Sequence, residues 1–177
     1  MKTRLRNAAL ATLCIFCLSN LAAQAEEDLR KEAEQAKANF LKADAGLQKF
    51  FDESAGYAMF PGVGKGGFIV GGARGKGVVY QKGSVVGETV MTQASIGAQA
   101  GGQSFAEVIF FETPEAIKDF KGGKFEMSAE VSAVAAAEGA SKAAKYKNGV
   151  AVFTLPLKGL MVQASIGGQK FKFIPAE

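Results

Sequence analysis

The chain has 177 residues, with 21 Lys and Arg against 17 Asp and Glu, two Cys, no His and no Trp. The length fits one domain with a core of its own. The missing His removes Ser-His-Asp and Cys-His catalysis and His-ligated zinc or iron, and two Cys cannot make a four-thiolate site.

Residues 1–25 read as a secretory leader. Lys2, Arg4 and Arg6 precede an apolar run from Ala8 to Leu18, and Ala23-Gln24-Ala25 offers a small-x-small cleavage site. Cleavage near Ala25 implies export, to the periplasm or envelope. The run is too short for a permanent span. An uncleaved anchor is one alternative and a lipoprotein another, although neither Cys14 nor Cys17 follows the small residue that lipidation uses. Cleavage would leave 26–177 as a single domain with a net charge of +1 and no thiol.

Residues 26–53 carry helix periodicity. Leu29, Ala33, Ala36, Phe40, Ala43 and Leu47 recur at spacings of three and four. Gly46 predicts a break near Asp44 to Gly46, followed by a short helix with Leu47, Phe50 and Phe51. The helix has two readings: it packs on the domain, or it enters a membrane interface. For the second, Phe50 and Phe51 beside Lys49 are the better local candidates for acyl contact.

Fourteen of the 22 glycines lie between Gly56 and Gly102. They alternate with short β-forming runs at 57–60, 68–70, 78–80, 85–86, 89–91 and 108–111, which predict a meander. So many glycines inside strands predict a strongly curved antiparallel, barrel-like sheet. The fold class is therefore α+β, with an N-terminal helix and a few short helices.

Thr113, Pro114 and Glu115 read as N-cap, first position and first turn of a helix over 113–121, stopped by Gly122-Gly123. Residues 125–139 are ambiguous; the alternation of Phe125, Met127, Ala129, Val131 and Ala133 favours a strand over 125–136. Strands follow at 150–155, 160–166 and 169–174, with turns at Lys147-Asn148-Gly149 and Lys158-Gly159. Residues 91–99 and 161–169 agree at seven of nine positions, which predicts equivalent strands in one sheet.

Most motifs fail as chemistry. Gly62-Val-Gly64-Lys-Gly-Gly67 satisfies G-x-G-x-x-G, but β-forming residues follow it where a dinucleotide fold needs a helix. No carboxylate pair, serine elbow or Ser-Lys frame nominates an active site, so a non-catalytic protein without a cofactor is expected. Nucleic acid is not expected, because the mature charge offers little counterion release. Lys65, Arg74 and Lys76 sit among glycines that let backbone N–H groups approach an anion, and are the candidate head-group ligands.

The stretch from Gly56 to Phe68, with its FP-x-V-x-KGG-F phrase, resembles the opening of the SYLF domain. So does Gly71 to Tyr80, with GG-x-x-GKG-V, and so do Gln93 to Gly97, Gln99 to Ser104, Val108 to Phe111 and Lys158 to Met161. The resemblance covers roughly residues 29–174; Phe125 stands where the family often has Trp. It implies a lipid-binding module for phosphoinositide-type head groups, which for an exported protein becomes anionic phospholipid at a membrane surface. Actin, a partner of eukaryotic relatives, is not expected for an exported chain. The alternative is a structural or partner-binding envelope protein. The sequence carries no signal for an oligomeric state.

Overall fold

The computed structural model describes the backbone of residues 2–66, 71–95, 103–125, 127, 131–158 and 168–176. It describes side chains over 23–64, 73–93, 104–125, 127, 131–157 and 168–176. Helix α1 runs Lys2–Ala43 and is followed by a 3-10 turn at Ala45–Leu47 and by α2 at Gln48–Glu53. The break falls where Gly46 predicts it, and Asp44 makes it. The Asp44 carboxylate accepts from the Gly46 N–H at 3.0 Å and from the Ser141 N–H at 2.7 Å. Among the described residues, no helix is long and apolar enough to cross a membrane.

Among the described residues, seven strands form one sheet in the order β5-β6-β4-β1-β2-β3-β7. They are β1 Gly56–Gly66, β2 Gly71–Gln81, β3 Ser84–Ser95, β4 Gln103–Phe111, β5 Val134–Ala135, β6 Val150–Lys158 and β7 Gln169–Pro175. The glycine-rich pieces lie inside the strands, so the short runs expected over 85–91 are one strand. The turn Lys82-Gly83 joins β2 to β3 with φ of 52° and 77°, both left-handed, which is the two-residue hairpin geometry that matches strand twist. Asn148-Gly149 repeats it, with φ of 51° and 77°. Pro61 interrupts β1 between its two neighbours, and its missing N–H is accommodated by a bulge between Met59 and Gly62.

Side chains alternate across the sheet and build two cores. On the outer face α1 lays Ala33, Ala36 and Phe40 over Met59, Val78, Val108 and Phe110. The inner face gathers Phe60, Val63, Met91, Phe105, Ile109 and Phe111 under Ile117 and Phe120 of α3, which spans Pro114–Lys121. Thr113 caps α3 as its sequence predicts, its Oγ1 accepting from the Ala116 N–H at 3.2 Å.

The sheet is strongly curved. Phe60 on β1 and Phe171 on β7 are three strand steps apart, ~14 Å in a flat sheet, yet their ring centroids lie 6.0 Å apart. Gln169 on β7 donates to the buried carboxylate of Glu107 on β4 at 3.0 Å, closing the concave side one strand further round. The expected barrel is corrected in one respect. Among the described residues the sheet stays open, with β5 and β7 at its edges, and α3 with Phe125, Met127 and Val131 fills the concave side. β5 also departs from the antiparallel expectation, since it pairs in parallel with β6.

The expected strand over 125–136 is also corrected. Phe125, Met127, Val131 and Ala133 do point into the inner core, so the alternation was a true burial signal. Among the described residues of this stretch, Met127 exchanges hydrogen bonds with Gly168 and Gln169 and Val134–Ala135 forms a strand, before helix α4 at Ala140–Ala143. Residues 68–70, all of 160–166, Gly159 of the turn at 158–159, and 96–99 and 161–167 of the two echo copies lie outside the described residues.

Candidate functional site

The inner face of β2 is small at every second position, with Ala73, Gly75 and Gly77. Phe60 and Val63 require this. A Cβ at Gly77 would stand 2.7 Å from Phe60 Cδ1 and 2.8 Å from the Met59 carbonyl oxygen; one at Gly75 would stand 3.0 Å from Val63 Cγ2. The alternate residues, Arg74 and Lys76, therefore emerge on the outer face, and both are exposed. The G-K-G texture has a steric cause on one side of the sheet and leaves cations on the other.

Register extends this pair across the sheet. Arg74 stands opposite Thr92, and Thr92 opposite Lys170. Lys76 stands opposite Val90, and Val90 opposite Lys172. Paired residues share a face, so Arg74, Lys76, Lys170 and Lys172 make one array on the outer face, all four exposed. Two strand steps by two residues gives a rectangle of ~10 by ~7 Å. Arg74, Lys76 and Lys172 enter no ion pair with another described residue. Among the described residues two carboxylates stand near the array: Glu88, half-buried in the next row between Val78 and Ile174, and Glu32 of α1, which shares a hollow with Gly62.

The sequence-predicted ligands are thus divided. Arg74 and Lys76 come together. Position 65 pairs with Ala73 and Gln103, one register step from the row of Gly64, Arg74 and Ser104. Lys65 therefore falls in the row of Ala73 and does not join the array. Lys170 and Lys172 take its place. Their signal was the alternation Lys170-Phe171-Lys172-Phe173, apolar on the inner face and cationic on the outer.

The expected acyl contacts are corrected as well. Phe51 is buried, its ring 5.0 Å from Tyr57 and 4.8 Å from Phe110, with Lys37 Nζ 4.8 Å above it. Phe50 is half-buried against Phe110, Tyr146 and Phe153. Both rings fill the corner where α2 meets the sheet, because a six-residue helix carrying two adjacent Phe can shield them only by packing. Phe50 and Tyr146 floor an open cleft of about 780 Å³, rimmed by Lys49, Lys142, Lys145 and Glu112.

A second hollow, of about 350 Å³, lies beside the array. Ala36 and Asn39 of α1 form one wall, and Pro61, Ala106, Leu155 and Leu157 form the other. Gly62, opposite Lys76, lies at its border, and Gly64 stands opposite Arg74. A Cβ at either glycine would meet nothing within 4 Å. Their side-chain-free backbone is thus an open strip between the cations and the apolar wall. The glycines that failed as a nucleotide fingerprint lie within a strand, next to the surface that carries the charge. Among the described residues, no group of three or more His, Cys, Asp or Glu could hold a metal ion.

Among the described residues, fold and surface define a small α+β domain: an open, curved sheet, one face partly covered by a helix and extended by an exposed cation array. The chain carries a domain of the Ysc84 (SYLF) family, described as the Las17-binding protein actin regulator, whose model matches residues 92–173. That range contains Lys170 and Lys172 and stops short of Arg74 and Lys76. The chain is also similar to Beta cell expansion factor A of Aeromonas veronii, 34% identical over 122 residues, which are 68% of this chain and 46% of that protein. The chain thus spans about half the length of the curated relative it matches.

Proposed function

We propose that the protein is a non-catalytic, membrane-peripheral module that binds anionic phospholipid through Arg74, Lys76, Lys170 and Lys172. The observation that carries this reading is the convergence of four exposed cations on one sheet face. A chain whose mature net charge is near zero attracts an anionic surface only by such clustering. Each cation near an anionic leaflet contributes about 1 kcal/mol, so the four together supply about 4 kcal/mol, roughly a thousandfold in affinity at low salt. Phosphoinositide-type head groups are the ligand that the family resemblance suggests. Export, with cleavage near Ala25, would deliver the module to the periplasm or envelope and makes other anionic lipids the accessible targets.

Co-sedimentation with vesicles of stated anionic content tests the reading. Binding to anionic vesicles is expected to exceed binding to zwitterionic ones at low salt and to fall as salt rises. Lys170→Ala with Lys172→Ala should weaken it about as much as Arg74→Ala with Lys76→Ala, while Lys65→Ala has a smaller effect. Equal binding to both vesicle types would sink the proposal. So would dependence on Lys65 with none on Lys170 and Lys172.

The family description names a protein partner for relatives, and this favours a second reading, in which the same face docks an acidic protein. Envelope pull-downs that yield a partner released by the four substitutions, with no vesicle binding, would select it.

A further inference from the structure

We infer that the hollow bordered by Gly62 and Leu157 is an acyl subsite, so that the module takes up one chain of an anionic lipid as well as its head group. The inference rests on the proposed lipid reading and adds to it where the chain goes.

Three observations combine. The hollow is contiguous with the array, because Gly62 lies at its border and pairs with Lys76. A phosphate placed at Arg74 and Lys76 therefore has its ester substituents over Gly62 and Gly64, where no side chain stands in the way. Beyond that strip the surface turns apolar. Pro61, Ala106 and Leu155 form its wall, and Leu157 is 46% exposed, one of two exposed large hydrophobic residues among the described ones. An exposed leucine beside an apolar wall is surface that gains by being covered.

The helix wall supplies direction. Glu32 lines the hollow from α1, together with Gln35 and Asn39, whose side chains hydrogen-bond to each other at 3.2 Å. A carboxylate there opposes entry of an anionic end and tolerates an aliphatic one. The polar end is thus held at Arg74 and Lys76, and the chain lies against Leu155 and Leu157. The volume of about 350 Å³ is at the lower end for small-ligand sites, ~300–1,000 Å³, and suits part of a single chain rather than a whole lipid. This places the acyl contact on the sheet, away from Phe50 and Phe51.

The test compares two soluble probes that share one head group. Dihexanoyl phosphatidylglycerol, kept below its micellar concentration, is titrated against the protein beside glycerophosphoglycerol. Burying two methylenes is worth on the order of tenfold, so the lipid should bind at least tenfold tighter. Gly62→Val, which fills open strand surface, and Leu157→Ser should each bring that preference to within about threefold of unity. Neither should change the salt dependence of vesicle binding, which rests on the cations. Equal affinity for the two probes in the native protein overturns the inference, and so does a preference that survives both substitutions. If vesicles still bind in a charge-dependent way, only the acyl subsite falls. Failure of vesicle binding itself removes the underlying reading and the subsite with it.

Discussion

The inner glycines of β2 set the direction of the cations, and substituting one of them measures how tightly the two faces are coupled. In Gly77→Ala the new methyl meets Phe60 Cδ1 at 2.7 Å and Cε1 at 2.9 Å, and the Met59 carbonyl oxygen at 2.8 Å. The Phe60 ring is fully buried and the carbonyl belongs to the β1 backbone, so neither yields without moving the strand. Overpacking of this kind costs ~1–3 kcal/mol, against ~0.4–1 kcal/mol gained by restricting the unfolded chain. The net expectation is a loss of about 1–2 kcal/mol. For a domain of this size that lowers Tm by roughly 2–8 °C. Gly64→Ala is the control on the neighbouring strand, where the methyl meets nothing within 4 Å; it should be neutral or stabilising by up to about 1 kcal/mol. Urea unfolding with a shared slope separates the two through their midpoints. If Gly77→Ala is as stable as the native chain, or if Gly64→Ala loses as much as Gly77→Ala, steric exclusion does not explain the glycine pattern.

Two further expectations concern ionisation. Burial pushes the Asp44 carboxyl up, but hydrogen bonds from Ser141, Gly46 and Gly139 outweigh it and hold the group below its ordinary 3.8. The unfolded chain then binds the proton more readily, so this stability is present above pH ~4 and is lost as pH falls through the lower folded value. Asp44→Asn should destabilise at neutral pH by about 1–3 kcal/mol and flatten the acid limb of a stability-against-pH curve; an unchanged acid limb would refute the assignment. All three tyrosines are shifted upward. Burial, reinforced by Glu34, takes Tyr57 to about 12. Burial, with Glu112 and Glu53, takes Tyr146 to about 12, and burial with Glu34 raises Tyr80 further. A raised phenol contributes stability that is complete below pH 10 and disappears as pH climbs toward the folded value. Phenolate absorbance should therefore show no ordinary tyrosine near pH 10 until the protein unfolds; a phenol titrating there in the folded state would contradict this packing.

Much of the fold was legible because its signals were local. The α1 stripe, the break between Asp44 and Gly46, the Thr113 cap and the Asn148-Gly149 turn depend on residues within four positions of one another. The sheet order was not legible, because pairing β7 with β3 and β4 with β1 is decided by contacts distant in sequence. The same limit divided the candidate binding residues. Arg74 and Lys76 lie two apart on one strand, so the strand's own alternation puts them on the same face. Lys65 lies on another strand, and its row depends on the register across Val63↔Gly75, which composition does not reveal. Lys170 and Lys172 showed their alternation plainly, but only the β3–β7 pairing carries them to Arg74. Phe50 and Phe51 misled for a different reason. An aromatic pair beside a lysine looks the same whether it meets lipid or the corner of a sheet, and Phe110, Tyr146 and Phe153 settle it here as the corner.

The placement of β7 bears on how the domain comes into being. Half of the array rides on the last strand, and that strand is held on one side by β3 and across the concavity by the Gln169–Glu107 bond. Pairings between chain segments so far apart in sequence form late and slowly. A chain in which β7 has not yet paired with β3 presents Arg74 and Lys76 without Lys170 and Lys172, half of the proposed array. On the proposed reading, the array is complete only once β7 has docked on β3, so binding would follow that late pairing.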